Sequence, residues 1–166
     1  MGQDIEEKIL EIYFENPDKD FTIREISKLA GLPRSTVHKY LLNLKKQNII
    51  SEDNRPIDNL LFKTKKTNYF ISNIISSGLV DEIIDKLNPS CIILFGSIRK
   101  GDSNKESDID LFVETSLKKE IDFSIYEKKL NHKIQIFTEN NIHKLQDNLF
   151  NNIVNGIKLY GSFKIK

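Results

Sequence analysis

The 166-residue sequence predicts an α+β chain, a helical N-terminal module followed by a small module in which strands and helices alternate. Three observations carry that expectation. Apolar residues recur at helical spacing through Ile5, Ile9, Ile12 and Tyr13, and again through Val37, Leu41 and Leu44. The run Cys91–Phe95 is apolar without interruption and stops at Gly96, as a strand buried on both faces would. Ile109–Val113 follows as a second strand, with one acid, Asp108, just before it and another, Asp110, within it.

The elements follow in order. A first helix over about residues 3–15 is ended by Asn16-Pro17-Asp18. Thr22 caps the next, with Glu25 as its capping-box partner three residues on and Phe21 placed to staple onto Ile26. Ala30-Gly31 closes it, because glycine accepts the left-handed position past a helix end. Pro33 suits the first turn of a third helix, and Asn48 its left-handed exit. Ile49-Ile50 starts an extended segment, Ser51–Pro56 turns it, and a piece near Leu60–Thr64 returns. Asn68–Leu87 is helical, with Gly78 a break or bend. Beyond Gly96 come a helix at Ser124–Leu130, a strand at Lys133–Phe137, a helix near Ile142–Asn151 and a closing strand near Ile157–Ile165.

Composition narrows the functional classes. Twenty-five basic residues against 24 acidic ones leave a net charge of +1, so any nucleic-acid affinity must come from a local patch. One cysteine, Cys91, excludes an internal disulfide framework, fits a reducing compartment and reads as a core residue. No apolar run is long enough to span a membrane, and the acids Asp4, Glu6 and Glu7 do not suit a signal peptide. A cytoplasmic protein without a membrane partner is expected.

The chemistry concentrates in residues 95–113, FGSIRKGDSNKESDIDLFV. A strand running into Gly96-Ser97 and then a helix is a phosphate cradle: glycine lets the backbone approach a ligand, N–H groups at the helix start favour anions, and Ser97 adds a hydroxyl. Asp108 and Asp110, two residues apart, present both carboxylates on one face of a strand while Ile109 points inward. Taken alone they also read as two solvated acids. Joined to the preceding strand and Gly-Ser turn, they read as ligands for Mg²⁺, which takes one or two protein carboxylates and fills the rest of its shell from phosphates and water. Arg99 and Lys100 fit phosphate contacts and solvated charges equally well. His132 and His143 lack metal-ligand spacing and are expected at the surface.

Gly96-Ser97, Gly101 and Ser107-Asp108-Ile109-Asp110 resemble the signature of the DNA polymerase β-like nucleotidyltransferases, especially the minimal prokaryotic ones, over about residues 90–140. The resemblance implies a small α/β domain with a mixed sheet. It implies that Gly96 and Ser97 hold a nucleoside triphosphate and that Asp108 and Asp110 are the catalytic, metal-holding acids, for Mg²⁺ or Mn²⁺. The implied reaction attaches a nucleoside monophosphate to a hydroxyl and releases pyrophosphate. The chain departs from the pattern at the next strand, where active members carry a third acid. Lys133-Ile134-Gln135-Ile136 offers Gln135, and a neutral amide is no general base. Asp122, Glu127 and Glu139 are the acids available to replace it.

Phe21–Ile50 reads as helix, glycine-containing turn, helix, and TIREISKLAGLPRSTVHKYLLNLKKQNII resembles winged helix-turn-helix DNA-binding domains over about residues 3–67. From Arg34 to Ser51 there are four basic residues and no acid. Arg34, Ser35, Thr36, His38 and Lys39 sit near the start of the second helix of the motif, the end that enters the major groove in this class. A helical interaction module with solvated lysines is the competing reading. Lys63, Lys65 and Lys66 follow the expected wing, where they would meet the DNA backbone, and Tyr40 is expected to pack.

The expected organisation is therefore a winged helix-turn-helix at 1–67, a linker helix at 68–88 and a nucleotidyltransferase-like domain at 89–166. Three functions fit: a nucleotidyltransferase acting on a protein, RNA or small molecule; a transcription regulator with a degenerate, nucleotide-sensing domain; and an antitoxin-like protein with a separate toxin partner. The expected partners are double-stranded DNA and NTP, with the chain as a homodimer reading two half-sites.

Overall fold

The computed structural model describes residues 2–164, and they fall into two compact units. One holds the chain up to Lys66 together with Ser103–Lys105; the other holds Thr67–Asp102 and the chain from Glu106 onward.

The first unit is helical. Helices α1 (Gly2–Glu15), α2 (Ile23–Ala30) and α3 (Arg34–Lys46) form the sequence motif. The predicted capping box is present in full: the Thr22 hydroxyl accepts from the Glu25 N–H at 3.2 Å, and the Glu25 carboxylate accepts from the Thr22 N–H at 2.8 Å. Gly31 takes the left-handed position at φ 65°, and Asn48 does the same after α3 at φ 55°. Pro33 sits one residue outside α3 as its cap, a correction to its expected place in the first turn; its φ of −58° suits either position. Val37, Leu41 and Leu44 are buried with Ile9, Tyr13, Phe21 and Ile26, each full burial contributing about 1.5–3 kcal/mol against exposure.

The expected wing is reduced to a single antiparallel bridge, Ile50 to Pro56. Leu60–Thr64 is not extended: it opens helix α4 (Leu60–Ser76), because the Asn59 side chain accepts from the Phe62 N–H at 2.9 Å and buries Phe62 on one helical face. The lysines expected to follow the wing therefore lie on a helix. Lys63 pairs with Asp58 at 3.0 Å, Lys65 with Glu6 at 3.6 Å, and Lys66 is buried and donates to the Ser103 carbonyl. Lys105 N–H donates to the Glu15 carbonyl at 2.8 Å, so Ser103–Lys105 is bound into this unit.

The second unit is a four-stranded mixed sheet in the order β3-β2-β1-β4. Its strands are β1 (Cys91–Phe95), β2 (Ile109–Glu114), β3 (Ile134–Glu139) and β4 (Ile157–Gly161). β1 is antiparallel to β2 and β4, and β2 is parallel to β3. Residue 165, at the expected end of the closing strand, lies outside the described residues.

Both faces of β1 are covered. Ile92 and Leu94 join Ile109, Leu111 and Val113 in one core, and Cys91, Ile93 and Phe95 join Phe112, Ile142 and Ile153 in the other. The segment expected as a linker helix is the second half of α4 and a separate helix α5 (Leu79–Leu87), broken at Gly78 with φ 87°. Phe70, Ile74, Leu79, Val80, Ile83 and Leu87 from that segment belong to the first of these cores. Helix α6 (Gly96–Lys100) adds Ile98 to the same core; α7 (Ser124–Leu130) packs there through Tyr126 and Leu130, while α8 (Asp147–Val154) covers the opposite face.

Candidate functional site

β1 delivers Phe95 opposite Asp110 on β2, and the chain then turns at Gly96 into α6. Gly96 has φ 73°, a left-handed conformation that glycine adopts without strain. It also packs against the acid: a Cβ there would lie 2.9 Å from the Asp110 Cγ and overlap its carboxylate. Glycine is required twice at this turn, by backbone angle and by space.

Ser97 lies partly exposed in the first turn of α6. Its carbonyl accepts from the Asp102 N–H at 3.0 Å, and Gly101 (φ 76°) closes the helix. The Thr67 hydroxyl lies 3.2 Å from the Ile98 carbonyl and 3.4 Å from that of Arg99, tying this five-residue helix to α4. Arg99 is partly exposed and Lys100 exposed.

Asp110 is half-buried on β2, and Asp108 is exposed just ahead of the strand. Burial first, and the negative charge of Asp108 second, hold the Asp110 carboxyl above its ordinary value. In the parallel register Asp110 pairs with Gln135 on β3, so the amide stands beside it on the same side of the sheet.

The other acids are committed elsewhere. Asp122 accepts from the Ser124 N–H at 2.9 Å, which lowers its carboxyl; Glu127 accepts from the Ile134 N–H at 3.0 Å; Glu139 accepts from the Asn140 N–H at 2.7 Å. Among the described residues no group of three or more His, Cys, Asp or Glu is placed to hold a metal ion. The structure thus brings Gly96, Asp108, Asp110 and Gln135 together, with two carboxylates and one amide.

His132, expected at the surface, is buried at 4% exposure. Asn131 ends α7 in the left-handed region and turns the chain so that the ring lies edge-on to Phe70, with centroids 5.2 Å apart. No local spacing signals this, because Phe70 is distant in sequence. His143 is exposed as expected. Burial pushes the Cys91 thiol up to about 11, so it is a protonated core group.

In the helical unit, Arg34, Ser35, His38 and Lys39 are exposed on the first turns of α3, and Thr36 and Tyr40 are partly buried. No side chain caps the start of α3 and no acid lies in its first turn, which leaves that end electropositive. Lys45 is drawn away to the Glu52 carbonyl at 2.6 Å.

Among the described residues no helix is long and apolar enough to cross a membrane. No curated protein and no solved structure matches the chain. Two family models do: an IclR helix-turn-helix domain over residues 9–54, spanning the second half of α1 and all of α2 and α3, and a nucleotidyltransferase domain over residues 76–164, spanning the whole mixed sheet and more than half of the chain. The chain belongs to the nucleotidyltransferase domain family, with an IclR-type helix-turn-helix ahead of that domain.

Proposed function

We propose that this is a DNA-binding protein whose nucleotidyltransferase domain takes up an NTP with Mg²⁺ or Mn²⁺ and transfers its nucleoside monophosphate to a hydroxyl acceptor. The observation that supports this most is the packing of the Asp110 carboxylate against Gly96. The acid and the turn that would receive phosphates occupy one place. Asp110 also carries an electrostatic cost from burial and from Asp108 that a divalent cation would relieve. Bound there, the metal would neutralise phosphate charge and draw electrons from the phosphorus under attack. The chain's own part is to hold: Gly96 and Ser97 for the phosphates, Asp108 and Asp110 for the cation. The acceptor oxygen forms a bond to the α-phosphorus, the bond from that phosphorus to pyrophosphate breaks, and the hydroxyl proton passes to solvent. Calorimetry of each NTP with Mg²⁺ tests the reading. Wild type binds at least one in a Mg²⁺-dependent way; Asp108→Ala/Asp110→Ala loses the Mg²⁺-dependent part of that affinity. Equal binding by both would overturn it.

Gln135 accepts no proton, so transfer is expected to be slow. A general base contributes about 10²–10⁴-fold, and Gln135→Asp places a carboxylate beside Asp110 in the register where one is missing. Pyrophosphate release with Mn²⁺ should rise at least about 10-fold in that variant. If both proteins bind nucleotide and neither releases pyrophosphate, the domain senses the nucleotide rather than transferring it.

Arg34, Ser35, Thr36, His38 and Lys39 are the proposed DNA contacts, on the electropositive start of α3. Arg34→Ala/Lys39→Ala should weaken duplex binding roughly 10–100-fold and flatten the dependence of log affinity on log salt by about one to two ionic contacts. Anisotropy of a labelled duplex across a salt series measures both, and unchanged affinity removes α3 as the reading helix. A homodimer on two half-sites is the expected assembly, with transcription regulation as its use.

A further inference from the structure

Asp108 lies in an exposed loop, outside the ladder that fixes Asp110, yet its backbone is held on both sides. After it, the Ile109 N–H donates to the Lys133 carbonyl at 2.8 Å. Before it, the Ser107 carbonyl is met by the His132 Nδ1 at 2.6 Å. A carbonyl only accepts, so Nδ1 carries the proton in this contact. The ring that donates it is buried against Phe70 and cannot swing away without opening the core. Two consecutive residues at the entry to β3 therefore grip the peptides on either side of one acid.

We propose that His132 is a positioning residue for the divalent cation: its Nδ1–H, with the Lys133–Ile109 bond, fixes the loop so that Asp108 is presented beside Asp110 before the ion arrives. The inference rests on the Mg²⁺–NTP reading above. The physical reason is preorganisation. A carboxylate on a free loop loses backbone and side-chain freedom when it ligates, whereas a loop already fixed loses little, and groups that orient metal ligands commonly govern 10–100-fold of affinity. Asp110 needs no such help, since both neighbouring strands pair with it. The effect should therefore appear in metal affinity and spare the phosphate side of the site at Gly96 and Ser97.

The test uses the full chain as wild type, His132→Phe, which keeps a ring against Phe70 but loses the donor, and His132→Asn, which restores an N–H donor. Calorimetry measures binding of ATP, GTP, CTP and UTP, each with Mn²⁺ and each in EDTA. The expected result is that His132→Phe loses about 10–100-fold of the Mn²⁺-dependent affinity and keeps the metal-free nucleotide affinity, and that His132→Asn recovers most of the loss. Equal Mn²⁺-dependent binding by His132→Phe and wild type would overturn the positioning role. So would a parallel fall in both conditions, which marks general damage, or no recovery in His132→Asn. A wild type that binds none of the four with Mn²⁺ overturns the underlying reading and is seen before any variant is compared. A second measurement requires no variant to fold: nitrogen NMR of the wild type should show His132 protonated at Nδ1, broadened when Mn²⁺ and the binding nucleotide are added. A proton on Nε2 alone, or no broadening, overturns the proposal.

Discussion

Asp110→Asn is expected to abolish Mn²⁺-dependent nucleotide binding and, in the metal-free protein at neutral pH, to make the fold more stable. Both effects come from the same unfavourable charge. Burial and the neighbouring Asp108 hold the Asp110 carboxyl above its ordinary value. The native state thus binds this proton more tightly than the unfolded chain does. Stability from this group is present at low pH and is lost as pH rises through the ordinary and then the raised value. At neutral pH the ionised form opposes folding, and asparagine removes that opposition at nearly constant shape. A thermal melt without metal should place Asp110→Asn above wild type, with the gap closing as pH falls. Adding Mn²⁺ to the nucleotide-bound protein should raise the wild-type melt further by ligand linkage and give Asp110→Asn no Mn²⁺-dependent shift. Because protonation competes with the cation, wild-type metal affinity should begin to fall at a higher pH than an ordinary aspartate would give. A wild type more stable than Asp110→Asn in EDTA at neutral pH would contradict the account.

Gly96→Ala is expected to be strongly destabilising to the nucleotidyltransferase unit and to remove nucleotide binding with it. Two separate penalties meet at the added carbon. The backbone stands at φ 73°, where an L side chain costs about 1–2 kcal/mol. The new carbon would overlap the Asp110 carboxylate, and relieving it would cost about a further 1–3 kcal/mol as for other overpacked sites. At roughly 2–4 °C per kcal/mol for a chain of this size, the shift is large enough to read in an ordinary melt. Asp110 cannot yield freely, because its strand is paired to Phe95 on one side and Gln135 on the other. Nucleotide binding should therefore fail even in whatever fraction stays folded. The double variant Gly96→Ala/Asp110→Ala separates the terms: removing the carboxylate should recover the overlap part of the loss and leave the backbone part. Full stability in Gly96→Ala would mean the turn relaxes more easily than this packing allows.

What could be read from the sequence was whatever local chemistry decides. Thr22 and Glu25 satisfy each other three residues apart, and Gly31, Asn48 and Gly78 take positions that few other residues tolerate. Cys91–Phe95 is apolar on both faces because both faces are covered. Leu60-Leu61-Phe62 shows the limit. A short apolar run lacks periodicity, and its helical outcome depends on the Asn59 cap and on burial of Phe62 near Phe14, whose ring lies 5.3 Å away. Lys66 could not be distinguished from a surface lysine without knowing that Ser103 would face it. At the site, the Gly-Ser turn and the DxD spacing were legible as residues, and Gln135 as a departure from a resembled pattern. The pairing of Asp110 with Gln135, the clash that forbids a side chain at Gly96 and the burial of His132 are all long-range facts, set by strand register and by packing with Phe70.

Cys91 gives the chain a built-in clock. It is the one thiol in 166 residues, fully buried on the first strand of the sheet, and burial leaves it protonated and unreactive while that strand stays in place. An alkylating reagent can reach it only when the sheet opens, so the labelling rate at low reagent excess reports how often that happens. Each labelled molecule carries a single mass increment at a known residue. A ligand that seats on Gly96 and the two aspartates should slow the clock in proportion to its occupancy. Nucleotide engagement could thus be read in crude mixtures, with no added probe and without any assumption about which acceptor the reaction uses.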